Sequence, residues 1–403
     1  MEQRGTMQVR EYNLERTLAA IRSAGPLTAA QIARTTGLSR PSVTSLVSEL
    51  TVLGWIDVIE PVLDGQGGRP PQRYGFRDDA GLLLGLDIGA HRIAALLTDL
   101  AGDVLVEDHV AVDPDLDAAG RLAALDALTV AVLEAHGSAP AAVWAVAAAV
   151  TGPVDATGRT PLFSPLPGWT EVDLVGHLNR TFPCPVQVEN DVKLGLLAEH
   201  RWGAARGARD VVYVLAGLRT GAAALVEGRL VRGHGGAAGE IGRLPEVRWH
   251  RAVEILTGEE GDGDADRTRA TFEAARRGDA DARARVRSYA RAIATGASAL
   301  VLMLDPEVVV VGGGSVPWAD LWVPEFSASL GRSVIRMPAV SVSTLGGDHV
   351  ARGAVRLAQQ RIESSHLTGG VRPARWPLPD DDDADAGGAG APRRRSSTAT
   401  PTA

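Results

Sequence analysis

Apolar residues recur at two different periods along this 403-residue chain, and the change from one to the other divides it. Near the N terminus, Leu14, Leu18 and Ile21 repeat at three- and four-residue spacing, which predicts a helix ending at Gly25-Pro26. In LTAAQIARTTGLSRPSVTSLVSEL, Thr28 and Gln31 have the spacing of a capping box, so a second helix should start there. Gly37 permits a sharp turn and Ser39 can cap a third helix; Pro41 then falls in its first turn, where backbone N–H groups have no intrahelical partner. Val43, Leu46, Val47 and Leu50 form the apolar stripe of that helix. The opposite face presents Pro41, Thr44, Ser45 and Ser48, with Arg40 and Ser42 at its start. WIDVIEPVLDGQGGRPPQRYGF reads as two short strands joined by a glycine-rich loop, a wing with Arg69 at its tip.

From residue 81 the pattern becomes an alternation of strands and helices. Strands are expected over 82–88, 93–100, 104–112, 143–150, 186–189, 211–216, 222–226, 308–311 and 340–343. Helices are expected over 116–136, 173–181, 192–203, 280–303 and 349–361. The class is α/β. Glycine-bearing hairpins near Gly89 and Gly221 suggest two related halves. From residue 364 the chain is of low complexity, with too little apolar surface to offset chain entropy, and is expected to be unfolded.

Charge alters the picture only when counted by region. The net charge is −8, yet residues 1–77 hold nine arginines against seven acids, so this segment is +2 and the remainder −10. Lys193 is the only lysine, and Cys184 the only cysteine, which excludes an internal disulfide framework and a thiolate metal cluster. No apolar run reaches the roughly 20 residues that span a bilayer, and no signal-peptide core opens the chain, so a cytoplasmic location with no membrane partner is expected. The helix pair has a small, polar, acid-free outer face that suits a major groove about 12 Å wide, and a wing-tip guanidinium suits a minor groove. Gly-Gly-Arg-Pro-Pro could equally be a hinge. On this reading Arg40, Ser42, Thr44, Ser45, Ser48 and Arg69 are the candidate DNA contacts.

Taken in order, the helix-turn-helix with GGRPP, then GLDIGAHR, VTGPVD, SPLPGW, VENDVKLG, GGAAGEIG and VVVVGGGS resemble the ROK family of repressors and sugar kinases, over roughly residues 10–361. The resemblance implies a winged helix-turn-helix over 1–78, then a two-lobed actin-like, ribonuclease H-like body with lobes at 79–205 and 206–363, and a tail at 364–403. The N-terminal domain belongs to the repressor branch. The implied function is therefore a transcriptional repressor that binds double-stranded operator DNA as a homodimer or homotetramer and responds to a sugar or sugar derivative. The alternative is an ATP-dependent sugar kinase with an accessory DNA-binding domain.

In the kinases the first hairpin reads Asp-x-Gly-Gly-Thr-Lys, where small residues let backbone N–H groups approach phosphates. Here Ala90, His91 and Arg92 replace Gly-Thr-Lys, and Leu218 and Arg219 intrude on the second phosphate hairpin, so no nucleotide cofactor is expected. The glycines at 312–314 resemble the adenosine-side loop, or are a tight turn behind a buried strand. Asp191 matches the kinase general base and is expected to be vestigial, with no catalytic residue surviving. The resemblance further implies sugar contacts at Asn190, Asp191, Glu240 and Glu254, each of which could instead be a cap or loop carboxylate. Arg243 stands where the family has a zinc-binding His, and no cysteine follows it, so no metal is expected. Its guanidinium either meets an acidic effector or pairs with Glu240 or Glu254.

Overall fold

In the computed structural model, residues 2–59, 71–258 and 265–367 are described. The chain opens with α1 (Glu2–Ala24), β1 (Leu27–Thr28), α2 (Ala29–Thr36), α3 (Arg40–Val52), β2 (Ile56–Ile59) and β3 (Arg73–Phe76). The capping box forms as spaced: Thr28 accepts from Gln31 N and Gln31 returns a bond to Thr28 N, while Gly37 takes a left-handed φ of 70°. Ser39 accepts from Ser42 N at the head of α3. Leu18, Ile21, Ile32, Val43, Val47, Leu50 and Ile56 share one core. Sequence periodicity passed over β1, which is two residues long and exists by pairing with β3. The segment 60–70, with Arg69, lies outside the described residues, as does the tail from 368.

The body holds two five-stranded sheets of one design. The first comprises β4 (Leu82–Ile88), β5 (Arg92–Thr98), β6 (Val104–Ala111), β7 (Val143–Val150) and β8 (Val186–Asn190), with α4 (Ala118–His136), α5 (Leu174–Leu178) and α6 (Asp191–Trp202) between or after its strands. The second comprises β9 (Val211–Leu215), β10 (Gly221–Val226), β11 (Arg229–Leu230), β12 (Val308–Gly312) and β13 (Ala339–Val342), with α7 (Ala252–Thr257), α8 (Ala265–Arg277), α9 (Ala280–Leu304) and α10 (Ala319–Ser333). Their orders, β6-β5-β4-β7-β8 and β11-β10-β9-β12-β13, superimpose strand for strand. In each sheet the first three strands pair antiparallel and the last two join in parallel. The two glycine-bearing hairpins are therefore equivalent positions of a repeated unit.

The last helix, α11 (His349–Leu367), packs on β4 and β7 of the first sheet beside α6. It runs four residues past the expected boundary at 363. β4 shows why it fits. Leu84, Leu86 and Ile88 point to the α4 side, whereas Leu83 and Gly85 face α11, and a Cβ on Gly85 would lie 2.7 Å from Val355. β7 helps with Ala145, Ala147 and Ala149 on the same side. Helices α6 and α11 run in the same direction: Gly353 abuts Leu194 near their starts, and Trp202 and Gln359 both meet Gly102 near their ends. Their N termini thus open at one place.

The winged helix is seated on this first sheet. Trp55 stacks on Phe76 and meets Trp144 of β7 edge-on, with ring centroids 5.1 Å apart in the second pair. Arg22 of α1 pairs with Glu363 of α11 and lies 5.8 Å over the Phe76 ring, and Arg356 holds the same carboxylate at 2.6 Å. Three helices of the body escaped sequence reading. Pro324 sits inside α10, α7 is six residues long, and α8 is dominated by charge. The helix expected over 173–181 contracts to the five residues of α5.

Candidate functional site: an interlobe cleft and a helical DNA face

The strand β8 ends at Asn190 and α6 begins at Asp191, so both side chains are delivered to the edge of the first sheet. Asn190 is buried and fully engaged: its Oδ1 caps α6 by accepting from Lys193 N at 3.1 Å, and its Nδ2 donates to Gly152 O and to Asp191 Oδ1. It orients Asp191 and has little left for a ligand. The Asp191 carboxylate also accepts from Thr151 Oγ1 at 2.9 Å and from Val192 N at 2.8 Å. Burial, only partly offset by the Thr151 and Val192 hydrogen bonds, holds its pKa above the usual carboxylate range. Asp87, at the end of β4, is its neighbour. Burial first and the Asp191 charge second push Asp87 up to about 7, against the pull of Arg92.

Glu240 comes from the loop that follows β11. It is open to the cleft, yet the walls around it raise its pKa ahead of an opposing pull from Lys193. Lys193 is the residue that sequence reading passed over. Its ammonium is buried and donates to Gly236 O, which ties the start of α6 to the loop carrying Glu240. Its signal was present, as the single lysine in a chain whose other cations are arginine. Gly236 fits only as glycine, with φ at 78° and no room for a Cβ beside the Val154 carbonyl. A cavity of about 550 Å³ opens on the far side of this loop, lined by Asp155, Thr157, Gln187, Glu189, Arg232 and His234; Asp191 and Glu240 do not line it.

Arg243 forms no ion pair among the described residues, so its pairing with Glu240 or Glu254 is not seen. The guanidinium instead lies 5.3 Å over the Phe163 ring. Glu254, on α7, is held by Arg251 at 2.5 Å and makes no hydrogen bond with Asn190, Asp191 or Glu240. A Cβ on Gly312 would strike the Tyr213 ring and Gly313 has φ at 91° against the Ala216 carbonyl, whereas a Cβ on Gly314 would meet nothing nearer than Gly217 at 3.9 Å. Among the described residues, no cluster of three or more metal-ligating side chains exists.

At the other end, Arg40, Ser42, Thr44, Ser45 and Ser48 are all exposed on α3. Two hydroxyls are turned inward, Thr44 to Arg40 O at 3.0 Å and Ser42 to Ser39 at 2.8 Å. Arg10 of α1 adds a cation that the α3 sequence could not reveal, because it reaches across to Glu49 and lies 3.5 Å from Ser45 Oγ. It neutralises the only acid on α3.

The sequence pattern of the ROK family matches residues 83–252 and 250–361, and that of the MarR family matches residues 16–67. The xylose repressor of Bacillus spizizenii is 26% identical over 238 residues, 59% of this chain and 61% of that protein. The chain thus spans about three-fifths of this relative's length. A ROK family transcriptional regulator described as a homolog of the E. coli MLC protein shares the fold, with a TM-score of 0.71 at 18% identity over 90% of this chain and 98% of that chain. The ROK family glucokinase of Streptomyces griseus, solved with glucose and AMPPNP, gives a TM-score of 0.58 at 30% identity over 70% of this chain and 100% of that one.

Proposed function

The chain belongs to the ROK family, and on that premise we propose that it is a sequence-specific DNA-binding repressor controlled by a carbohydrate or sugar derivative held in a catalytically degenerate cleft. One observation carries the reading. A helix-turn-helix with an exposed, polar α3 is fixed through Arg22 and Trp55 to the same sheet and helix that border Asp191. A DNA reader rigidly joined to a carbohydrate-type cleft has the form of a ligand-controlled switch, in which the effector acts by preferring the DNA-incompetent arrangement. The division is 1–78 for the DNA-binding domain, 79–205 and 206–367 for the two lobes, with α11 returning to the first, and 368–403 for the tail. Arg40, Ser42, Thr44, Ser45, Ser48 and Arg69 face DNA, joined by Arg10. Asp191, Glu240 and Arg243 contact the effector, Asn190 positions Asp191, and Glu254 contributes from the second lobe. A cytoplasmic homodimer or homotetramer on a palindromic site fits one weakly basic reading domain per chain, because such a domain alone holds DNA poorly.

The kinase reading has Asp191 and the glucokinase likeness in its favour. The replacement of Gly-Thr-Lys by Ala90, His91 and Arg92, and the presence of Leu218 and Arg219 in the second hairpin, oppose it. A mobility-shift titration on the DNA upstream of the gene, with xylose first among a panel of sugars, should show a retarded complex that a sugar releases. An ADP-release assay on the same panel should be silent; turnover abolished by Asp191→Asn would reverse the assignment.

A further inference from the structure

We propose that the cavity on the far side of the loop after β11 is a second ligand site, separate from the effector cleft, which receives a small zwitterion with one carboxylate and one ammonium, such as a free amino acid or a dipeptide. The proposal stands independently of the repressor reading. At about 550 Å³ the cavity falls within the roughly 300–1,000 Å³ of small-molecule sites. It is a single space between two segments of chain: β8 and the loop after β7 form one wall, and residues 232–236 form the other. Gly236 belongs to that second wall, and its carbonyl accepts from the buried Lys193 ammonium, which fixes the wall to α6.

The cation of the site is prepared by a buried acid. Glu189 is 3% exposed, and a carboxylate in that position has to be paired. Its Oε1 accepts from Asn190 N at 3.0 Å and its Oε2 from Arg232 Nε at 2.5 Å. The pair consumes only the Nε donor of Arg232. Nη1 and Nη2 make no hydrogen bond among the described residues, and the half-exposed side chain lines the cavity. Glu189 thus orients a guanidinium whose end is left free, and such a planar fork holds a carboxylate through two parallel bonds.

The rest of the wall offers acceptors. Asp155 Oδ1 is taken up within its own turn by Thr157 N at 2.8 Å, Thr157 Oγ1 at 2.6 Å and Arg159 N at 3.1 Å, whereas Oδ2 makes no hydrogen bond among the described residues. The Thr157 hydroxyl first, and the Arg159 N–H next, hold its pKa below the usual carboxylate range, so it is an anion at neutral pH. The side-chain carbonyl of Gln187 has no hydrogen-bond partner among the described residues and is open to a donor. β8 is also an edge strand. Val146 N donates to Pro185 O and Val146 is in register with Val186, so the backbone groups of Gln187 turn toward β7 and those of Val186 and Val188 turn outward, where no described group bonds them.

Charge then narrows the guest. Two carboxylates, Asp155 and Glu189, against one guanidinium leave the fixed charge of the wall at −1, which repels a dianion such as a phosphate monoester. A simple amine leaves the Arg232 fork empty, and a neutral sugar uses neither charge. A zwitterion answers both ends, with its carboxylate on Arg232 and its ammonium among Asp155, Gln187 and the outward carbonyls of β8.

Differential scanning fluorimetry of the full chain with pools of free amino acids, then of dipeptides, finds the guest. Isothermal titration calorimetry then ranks it against its N-acetyl derivative, which lacks the ammonium, and its amide, which lacks the carboxylate. At least one zwitterion should bind, and each derivative should bind about tenfold more weakly or worse, the loss expected for one charged hydrogen bond. Arg232→Lys keeps a positive charge beside Glu189 and removes the fork; Asp155→Asn keeps the acceptor of the turn and removes the charge. Each should weaken the zwitterion by about the same factor, with near-ultraviolet circular dichroism confirming the fold. Binding by no pool, a derivative that binds as tightly as its parent, or unchanged affinity in either folded variant would each overturn the proposal.

Discussion

Replacing Asp87 by Asn should make the protein more stable at alkaline pH and change little in acid. The carboxyl sits among walls that burial and Asp191 make hostile to its charge, and its pKa is raised from 3.8 to about 7. The folded state therefore holds the proton more tightly than the unfolded one. Below the unfolded pKa both states are protonated and nothing is lost. As pH rises toward about 7 the unfolded chain ionises first, so stability falls, and above the folded pKa the deficit levels off. A shift of about three units corresponds to about 4 kcal/mol at 1.36 kcal/mol per unit, of which about 2.7 kcal/mol accrues between pH 5 and 8.5. Solvent reaches part of Asp87 through the cleft, so these are upper bounds. An amide cannot ionise and escapes the whole deficit. Urea titrations of both proteins near pH 5 and pH 8.5 give the double difference: Asp87→Asn should gain about 1–3 kcal/mol relative to wild type on going to the higher pH. A pH-independent difference, or a variant that loses ground in base, would refute the argument that Asp87 is buried against Asp191.

Two further substitutions probe how the parts are joined. Arg22→Ala removes the pair with Glu363 and the stacking over Phe76; because Glu363 remains held by Arg356, the cost should be about 1–2 kcal/mol, read as faster hydrogen exchange in α1–α3. Unchanged exchange there would show that the seat does not depend on this pair. Gly353→Ala sets helix propensity, worth about 1 kcal/mol in favour of alanine, against a Cβ driven into the backbone carbonyl of Leu194, worth about 1–3 kcal/mol or more against it. Rigid backbone wins over propensity, so the melting temperature should drop; a rise would mean that α6 and α11 are not in such close contact.

What the sequence disclosed follows from range. The Thr28–Gln31 box, the Ser39 cap and the Gly37 turn are settled within a few residues, and the structure contains them as spaced. Nine of the ten strands of the two sheets were legible, the central ones because burial on both faces leaves unbroken apolar runs such as VWAVAAAV; β11, two residues long, was passed over. The helix α10, absent from the expected elements, carries Pro324 five residues after its start and is supported by Trp322, Phe326 and Leu330 in the core. The cleft was half legible. Asn190, Asp191 and Glu240 stood in recognisable motifs, but whether Asn190 serves a ligand or a helix cap depends on Gly152, 38 residues away. Arg92 and Gly347, 255 residues apart, share no pattern that could announce their approach. Arg243 shows the same limit, since a guanidinium with carboxylates nearby in sequence invites ion pairing and here lies on Phe163 instead.

The position of α11 bears on how little movement control of DNA binding would require. It begins at His349 beside the cleft and reaches Glu363 against α1, fourteen residues or about 21 Å later. Its middle is clamped: Gly85 and Gly353 let it touch the backbones of β4 and α6, where a packed interior yields in steps and does not stretch. A displacement at His349 is thus delivered at Glu363 without being absorbed between. A tenfold change in operator affinity is about 1.4 kcal/mol, and a hydrogen bond to a charged group is worth about 1.5–3 kcal/mol. Exchanging one of the two guanidinium contacts on Glu363 is therefore enough. Large rearrangement of the lobes need not accompany release, and the effector has only to bind the shifted position of α11 better than the resting one.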